Sequence, residues 1–359
     1  VKIAIYTIAK NEERFAEQFM RTCGPADLIV VGDSGSTDRT PQIIKDNGGH
    51  VINLGIKPWR FDMARNTVLS VLPSDIDFCF AMDLDERFRD DNWRDMLEKD
   101  WQVGTHNRLR FRYVHSFRPD GSPAVVGIKD FAHERHNYFW QHAVHETLYY
   151  RGEGQENPLT LVDLVVEHHQ DRTKSRTSYL PLLEQECNGR TVTPRHIFWL
   201  VREYVGIKAW DKVVTWADKF LAEPGTWYVE RSHTLRYKAK ALSHLKRHAD
   251  ALACHCLSVD AAPKERECWM DMAWYHYFHD QFPQAYGAVT QALTLTSRPE
   301  HYLTSEESWG YKIHELAANC AGRMGLLDKV EGHLKMALRL APGMAHLKQI
   351  GDRYGIKGL

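Results

Sequence analysis

Long apolar runs are missing from this sequence of 359 residues. No stretch approaches the ~18 consecutive apolar residues that a membrane-spanning helix needs. The opening VKIAIYTI has eight residues before Lys10, Asn11 and Glu12 interrupt it. That is too short for a secretory leader and has no small-residue cleavage site, so a cytoplasmic location with no membrane partner is expected. A C-x-x-C pair is also missing. The seven cysteines are odd in number and scattered, which predicts reduced thiols rather than a disulfide framework. Cys254-His255-Cys256 lacks a second ligand pair at zinc spacing, so it reads as a helix that happens to carry two cysteines. The dinucleotide fingerprint G-x-G-x-x-G is absent after the second strand-like run, where GDSGSTDRT stands instead.

Net charge is close to zero, at −1, yet its distribution is uneven. Residues 1–170 hold 20 Lys and Arg against 26 Asp and Glu, whereas 171–247 hold 15 against 8. Such asymmetry is compatible with a polyanion-facing surface or with a solvated helical one.

The first hundred residues alternate strand and helix patterns. KIAIYTI, DLIVVG, HVINL and DFCFAM read as strands, with amphipathic segments over 11–22, 38–47 and 60–72 between them. That alternation predicts a parallel sheet covered on both faces, with ligands at the carboxyl ends of its strands. Three polar clusters fall at those ends: Thr7 to Glu13, Asp33 to Thr40, and Asp83 to Glu86. From 106 the pattern changes to a hairpin around Asp120-Gly121, then strand candidates in YFWQHAVHETLYY and LTLVDLVVEHH, so the sheet is expected to be mixed. HHQDRTKSR reads as a hinge, and helical hairpins follow to the end. Equivalent turn positions Asp211, Asp250, Gln284 and Asp328 are spaced 39, 34 and 44 residues apart, near the period of tetratricopeptide helix pairs. Aromatic-rich WMDMAWYHYF then reads as core and inter-repeat packing. The expected fold class is α/β followed by an all-α helical-repeat domain, divided as 1–170, a hinge and lid over 171–194, and 195–359.

The chemistry concentrates at Asp83-Leu84-Asp85. Two carboxylates at i and i+2 on extended backbone share a side, and each raises the other's pKa unless a cation lies between them. Hard divalent ions take such oxygen ligands and share them with substrate phosphates. In GDSGSTDRT, the small residues permit a tight turn with free backbone N–H groups, and Asp33 could accept from a base or ribose.

YTIAKNEERF, VVGDSGSTDRT, PWRFDMARN and FAMDLDE, taken together in order, resemble family 2 glycosyltransferases of the GT-A fold. AVHE (143–146) and EHHQDRTKSR resemble segments of the subgroup that includes glycocin-type peptide glycosyltransferases and phage relatives, which carry tetratricopeptide-like helices. The resemblance covers roughly residues 1–180. It implies a GT-A nucleotide-diphospho-sugar transferase fold. It implies that Thr7, Glu12 and Asp33 line the nucleotide site, and that Arg65 approaches the diphosphate or braces the D-x-D turn. Asp83 would lie near ribose and metal. Asp85, with His168 or His169, would bind a divalent Mn or Mg ion. Lys174 and Arg176 would neutralise the leaving diphosphate. Glu146, with His145 as runner-up, would be the catalytic base.

The function so implied is metal-dependent inverting transfer of a sugar from a nucleotide-sugar donor, of the UDP-sugar type, to a macromolecular acceptor. A polypeptide acceptor is favoured over a hydroxymethylated DNA base. The competing readings are an inert adaptor working through its helical repeats, which also suit a homodimer, and a nucleotidyltransferase, which releases pyrophosphate.

Overall fold

The computed structural model describes residues 1–171, 179–189, 192–356 and 358. The chain forms two compact units, Val1–Glu186 and Cys187–Leu359. The boundary falls inside the 171–194 stretch.

Unit one runs β1 (Ile3–Ala9), α1 (Glu13–Cys23), β2 (Leu28–Asp33), α2 (Thr40–Asp46), β3 (His50–Asn53), α3 (Phe61–Ser70), β4 (Phe78–Ala81), β5 (Glu86–Phe88), α4 (Trp93–Asp100), β6 (Arg108–Phe117), β7 (Pro123–Glu134), β8 (Tyr138–Gln141), β9 (Thr147–Tyr150) and β10 (Pro158–His168). Helix α5 (Tyr179–Cys187) ends at the boundary. Eight strands form one mixed sheet in the order β3-β2-β1-β4-β7-β6-β10-β5, and β8 pairs with β9 separately.

The central strands are apolar on both faces because both are covered. Ile3, Ile5, Phe78 and Phe80 point to a core completed by α1 and α4 through Phe19 and Trp93. Ala4, Tyr6, Cys79 and Ala81 point to a second core with Val68 and Leu72 of the α3 region and Trp140 of β8. Helix α3 lies so close to β2 that a Cβ on Gly32 would sit 2.5 Å from Val68 Cγ2 and 2.7 Å from Leu54 Cδ1. Any larger residue there would force Val68 or Leu54 to move.

Topology gathers the polar residues. Strands β1 to β4 are mutually parallel, so Asp33 and the segment after β4 emerge at one edge. Strand β7 is antiparallel to β4, β6 is antiparallel to β7, and β10 is parallel to β6. Two reversals restore the direction, so His168 at the end of β10 reaches the edge that holds Asp83 and Asp85. The short β5 then pairs back on β10, with His168 opposite Glu86.

Unit two is helical: α6 (Pro194–Gly206), α7 (Trp210–Ala222), α8 (Tyr228–His244), α9 (His248–Ala261), α10 (Arg266–Phe278), α11 (Phe282–Thr294), α12 (Glu306–Trp309), α13 (Tyr311–Arg323), α14 (Leu327–Leu340) and α15 (Ala345–Arg353). Four hairpins share one turn. In each, a left-handed residue follows the first helix: Lys208, Lys246, Asp280 and Gly325, with φ of 59°, 63°, 57° and 75°. The next N–H then bonds back five residues: Ala209 to the Tyr204 carbonyl, Arg247 to Leu242, Gln281 to His276 and Leu326 to Ala321, at 2.8–2.9 Å. This is the Schellman ending, which satisfies helix-terminal carbonyls and turns the chain sharply. Its fourfold recurrence shows the repeat more directly than residue spacing does. No helix is long and apolar enough to cross a membrane among the described residues.

Candidate functional site

The first two edge clusters lock onto each other. Ser36 Oγ accepts from Asn11 N, Thr40 Oγ1 from Glu12 N and Asp38 from Glu13 N, while Asn11 Oδ1 and Glu13 accept from Thr37 N and Arg39 N. The runs KNEE and SGSTDRT are thus two halves of one hydrogen-bonded knot. Asp33 closes its own turn, accepting from Gly35 N at 3.0 Å, Ser36 N at 3.0 Å and Ser36 Oγ at 2.5 Å. It is buried, and Gly35 takes the positive φ of 95° that the turn requires. Thr7 is wholly buried within β1, and its hydroxyl donates to the Ile8 carbonyl. Glu12 is only partly buried and leads into α1. Thr7 and Asp33, both expected to line the nucleotide site with Glu12, stand toward the carboxyl ends of β1 and β2. Thr7 is enclosed by the sheet, and much of Asp33's hydrogen-bonding capacity is committed to its own turn.

The Asp83–Glu86 turn divides its carboxylates among different tasks. Asp85 Oδ2 lies 3.1 Å from His168 Nε2, and its carbonyl accepts from His169 N at 2.7 Å. His169 turns away, its Nε2 3.2 Å from Glu167 and its ring stacked on Phe117. Of the two expected ligand histidines, His168 is thus the one that faces Asp85, while His169 faces Glu167. Burial works to lower the His168 pKa, but the Asp85 carboxylate, with Glu86 and Asp83 behind it, raises it above the usual value. Asp83 points to Arg65 Nη2 at 2.8 Å and is 42% exposed. Burial of its surroundings favours the neutral acid, yet Arg65, then Lys129, hold Asp83 below the ordinary carboxylate range. Among the described residues, Asp83, Asp85 and His168 do not bring three ligand atoms within 4.8 Å of one another.

Arg65 and Asn66 show why A-R-N stands on α3. The Arg65 side chain is buried, with Nε on Glu146 at 2.5 Å, Nη2 on Asp83, and Nη1 without a hydrogen-bond partner. Asn66 clamps β8, accepting from Trp140 N at 2.8 Å and donating to the Trp140 carbonyl at 2.7 Å. Arg65 therefore braces the D-x-D turn. Glu146, the residue expected to act as base with His145 as runner-up, shares one guanidinium with Asp83. That placement fits it to hold Arg65. His145 is half-buried with φ at 51°, and its ring centroid lies 5.8 Å from that of Tyr179. The run 138–150, read as one strand candidate, is two strands, with A-V-H-E on the loop between them. Lys174 and Arg176 lie outside the described residues.

Beneath the turn sits a group that the sequence reading left unassigned. Glu86 is 2% exposed. Its Oε1 accepts from Tyr113 OH at 2.6 Å and Lys129 Nζ at 2.5 Å, and its Oε2 from Asp83 N at 3.1 Å. Lys129 Nζ also lies over the Tyr113 and Phe131 rings, at 4.5 and 4.8 Å. The available signal was register: Lys129 pairs across the hairpin with Phe111, a core residue, so a lone cation shares that inward face.

No protein-family model matches the chain, and no curated protein matches it. Similar solved structures are tetratricopeptide proteins. A thermophilic tetratricopeptide protein of Thermus thermophilus, TTC0263, is 18% identical, with 49% of this chain and 87% of that chain covered and a TM-score of 0.36. MamA of Desulfovibrio magneticus is 15% identical, with 47% and 86% covered and a TM-score of 0.38. These findings overturn the identification with family 2 glycosyltransferases: the likenesses found are to tetratricopeptide proteins over about half of the chain, and nothing in them points to a GT-A glycosyltransferase. What stands is coarser, a mixed α/β unit followed by helical hairpins resembling tetratricopeptide repeats.

In unit two, Cys254 and His255 are buried while Cys256 is exposed, so the Cys-His-Cys run does not converge on a metal. Burial pushes the His255 pKa down to about 4. WMDMAWYHYF is only partly core. Met270 and Ala273 are buried, whereas Trp274, Tyr275 and Phe278 line a groove of about 580 Å³ with Phe278 73% exposed.

Proposed function

We propose that unit one transfers a glycosyl group from a nucleotide-sugar donor, of the UDP-sugar type, to a macromolecular acceptor, with Mn²⁺ or Mg²⁺ as cofactor. The observation that carries this reading is the Asp85–His168 contact at the carboxyl edge of the sheet, beside an Asp83 held ionised by Arg65. A carboxylate oxygen and an imidazole nitrogen suit a divalent ion that keeps other positions for water and phosphate oxygens. Such an ion, when bound, neutralises charge on a diphosphate leaving group.

The chain's own residues then have distinct roles. Asp85 and His168 would hold the ion. Arg65, kept in place by Glu146 and Asp83, has a buried Nη1 with no internal partner, which suits an anionic oxygen of the donor. His145 would act as base. The acceptor's nucleophilic atom attacks the anomeric carbon, the bond from that carbon to the diphosphate oxygen breaks, and His145 takes the acceptor's proton. The nucleoside diphosphate departs with the bonding pair. A left-handed non-glycine backbone at His145 is the kind of local strain that persists where a side chain must be aimed. Stacked helical hairpins offer extended surfaces for a chain-like acceptor, which supports a polypeptide.

The test is a panel of nucleotide sugars with Mn²⁺ and the full chain, scored by the nucleotide released. Release of a nucleoside diphosphate that is lost in Asp85→Ala supports the reading. Pyrophosphate release would point to nucleotidyl transfer. No release and no thermal shift with any donor would sink it.

A further inference from the structure

The buried contacts under the Asp83–Glu86 turn reach further than the turn itself. Glu86 joins to Asp83 on both sides: its N–H donates to the Asp83 carbonyl at 2.9 Å, and its Oε2 accepts from Asp83 N at 3.1 Å. The side chain thus completes a ring with the backbone of the residues that precede it. The other oxygen, Oε1, is held by Lys129 Nζ and Tyr113 OH. A carboxylate this deeply buried is tolerable only when it is paired and hydrogen-bonded, and Lys129 is the cation that pairs with it. Lys129 is itself restrained by the two aromatic faces it overlies. Strand β7 therefore fixes Glu86, Glu86 fixes the turn backbone, and the turn backbone carries Asp85 toward His168. The Tyr113 ring lies 6.0 Å from the His168 ring and stacks on it, so the same tyrosine touches both ends of the arrangement.

We propose that Lys129, through Glu86 and Tyr113, is a positioning residue that sets the divalent-cation affinity of the Asp85–His168 pair. This rests on the metal-dependent reading above. Lys129 need not touch the ion or the donor. Partners behind the direct ligands typically change metal affinity 10–100-fold when removed, because they hold the ligands in the orientation that binding requires.

Removing Lys129 alone would leave Glu86 charged and buried, and such a protein could simply unfold. The informative variant is therefore Lys129→Met combined with Glu86→Gln, which removes both charges together. Mn²⁺ binding to the full chain is read by the loss of the free-ion electron paramagnetic resonance signal, with a cooperative melt as the check on folding. The expected result is a dissociation constant raised about tenfold or more in the double variant, and Lys129→Arg within about threefold of wild type. Tyr113→Phe, which keeps the Lys129–Glu86 pair, is expected to weaken binding in the same direction by about threefold. Wild-type Mn²⁺ affinity in both the folded double variant and Tyr113→Phe would overturn the proposal. Should the double variant not fold, Tyr113→Phe decides alone. A wild-type chain that binds neither Mn²⁺ nor Mg²⁺ would instead overturn the metal-dependent reading and this inference with it.

Discussion

At the scale of single residues, the edge of the sheet is an exercise in pairing buried charge. Arg65 serves Glu146 and Asp83, Lys129 serves Glu86, and His168 faces Asp85. A second buried chain lies behind them. Trp140 Nε1 donates to Tyr6 OH at 2.7 Å, Tyr6 OH lies 2.9 Å from His133 Nε2, and His133 Nδ1 lies 2.5 Å from the Glu134 carbonyl. Each contact is consistent if His133 is neutral and carries its proton on Nδ1. Burial pushes its pKa down to about 3. The unfolded chain protonates this histidine below about pH 6.5 while the folded chain does not. Its contribution to stability is therefore lost as pH falls from about 6.5 toward 3, at up to about 1.4 kcal/mol per pH unit. Urea unfolding at pH 6.5, 5.5 and 4.5 should show wild type losing more stability than His133→Gln. Parallel losses in the two proteins would contradict a neutral His133.

At the scale of elements, the hairpin turns of unit two offer a clean comparison, because the same backbone recurs with different side chains. A non-glycine residue in the left-handed region costs about 1 kcal/mol relative to glycine. Lys246→Gly should raise the stability of unit two by up to about 1 kcal/mol, and Gly325→Ala should lower it by a similar amount. Denaturant midpoints with unchanged slopes would check both.

These turns also show what the sequence could reveal. The strands β1 to β4 and the helices between them were legible because both cores demand apolar residues at fixed periods. Strand β5 and helix α4 were not anticipated. The first is three residues long and takes its structure from pairing with β10, and the second was hidden by the charged run after Phe88. The polar clusters were legible as an edge, but their division of labour was not. Asp33 and Asp85 both follow apolar strands. Whether the carboxylate closes its own turn, as Asp33 does, or faces a histidine, as Asp85 does, depends on β10, which arrives about 80 residues later. Which carboxylate each of His168 and His169 faces, Asp85 or Glu167, likewise depends on the pairing of β10.

At the scale of the whole molecule, the chain joins a unit whose polar groups converge on one sheet edge to a unit built from repeated helix pairs. The aromatic richness of the second unit is shared between core and a groove, with Trp274 stacked on the exposed Phe278. Unit one carries the arrangement on which the functional reading depends, and within it the claim narrows to one contact. The most direct measurement is Mn²⁺ binding to the full chain by electron paramagnetic resonance, with and without a nucleoside diphosphate, compared with Asp85→Ala. Wild type should bind about one ion, more tightly when the diphosphate is present, because a site with two protein ligands leaves positions for phosphate oxygens. Asp85→Ala should lose that binding while melting as a folded protein. Equal Mn²⁺ binding by wild type and Asp85→Ala, or none by either, would contradict the account.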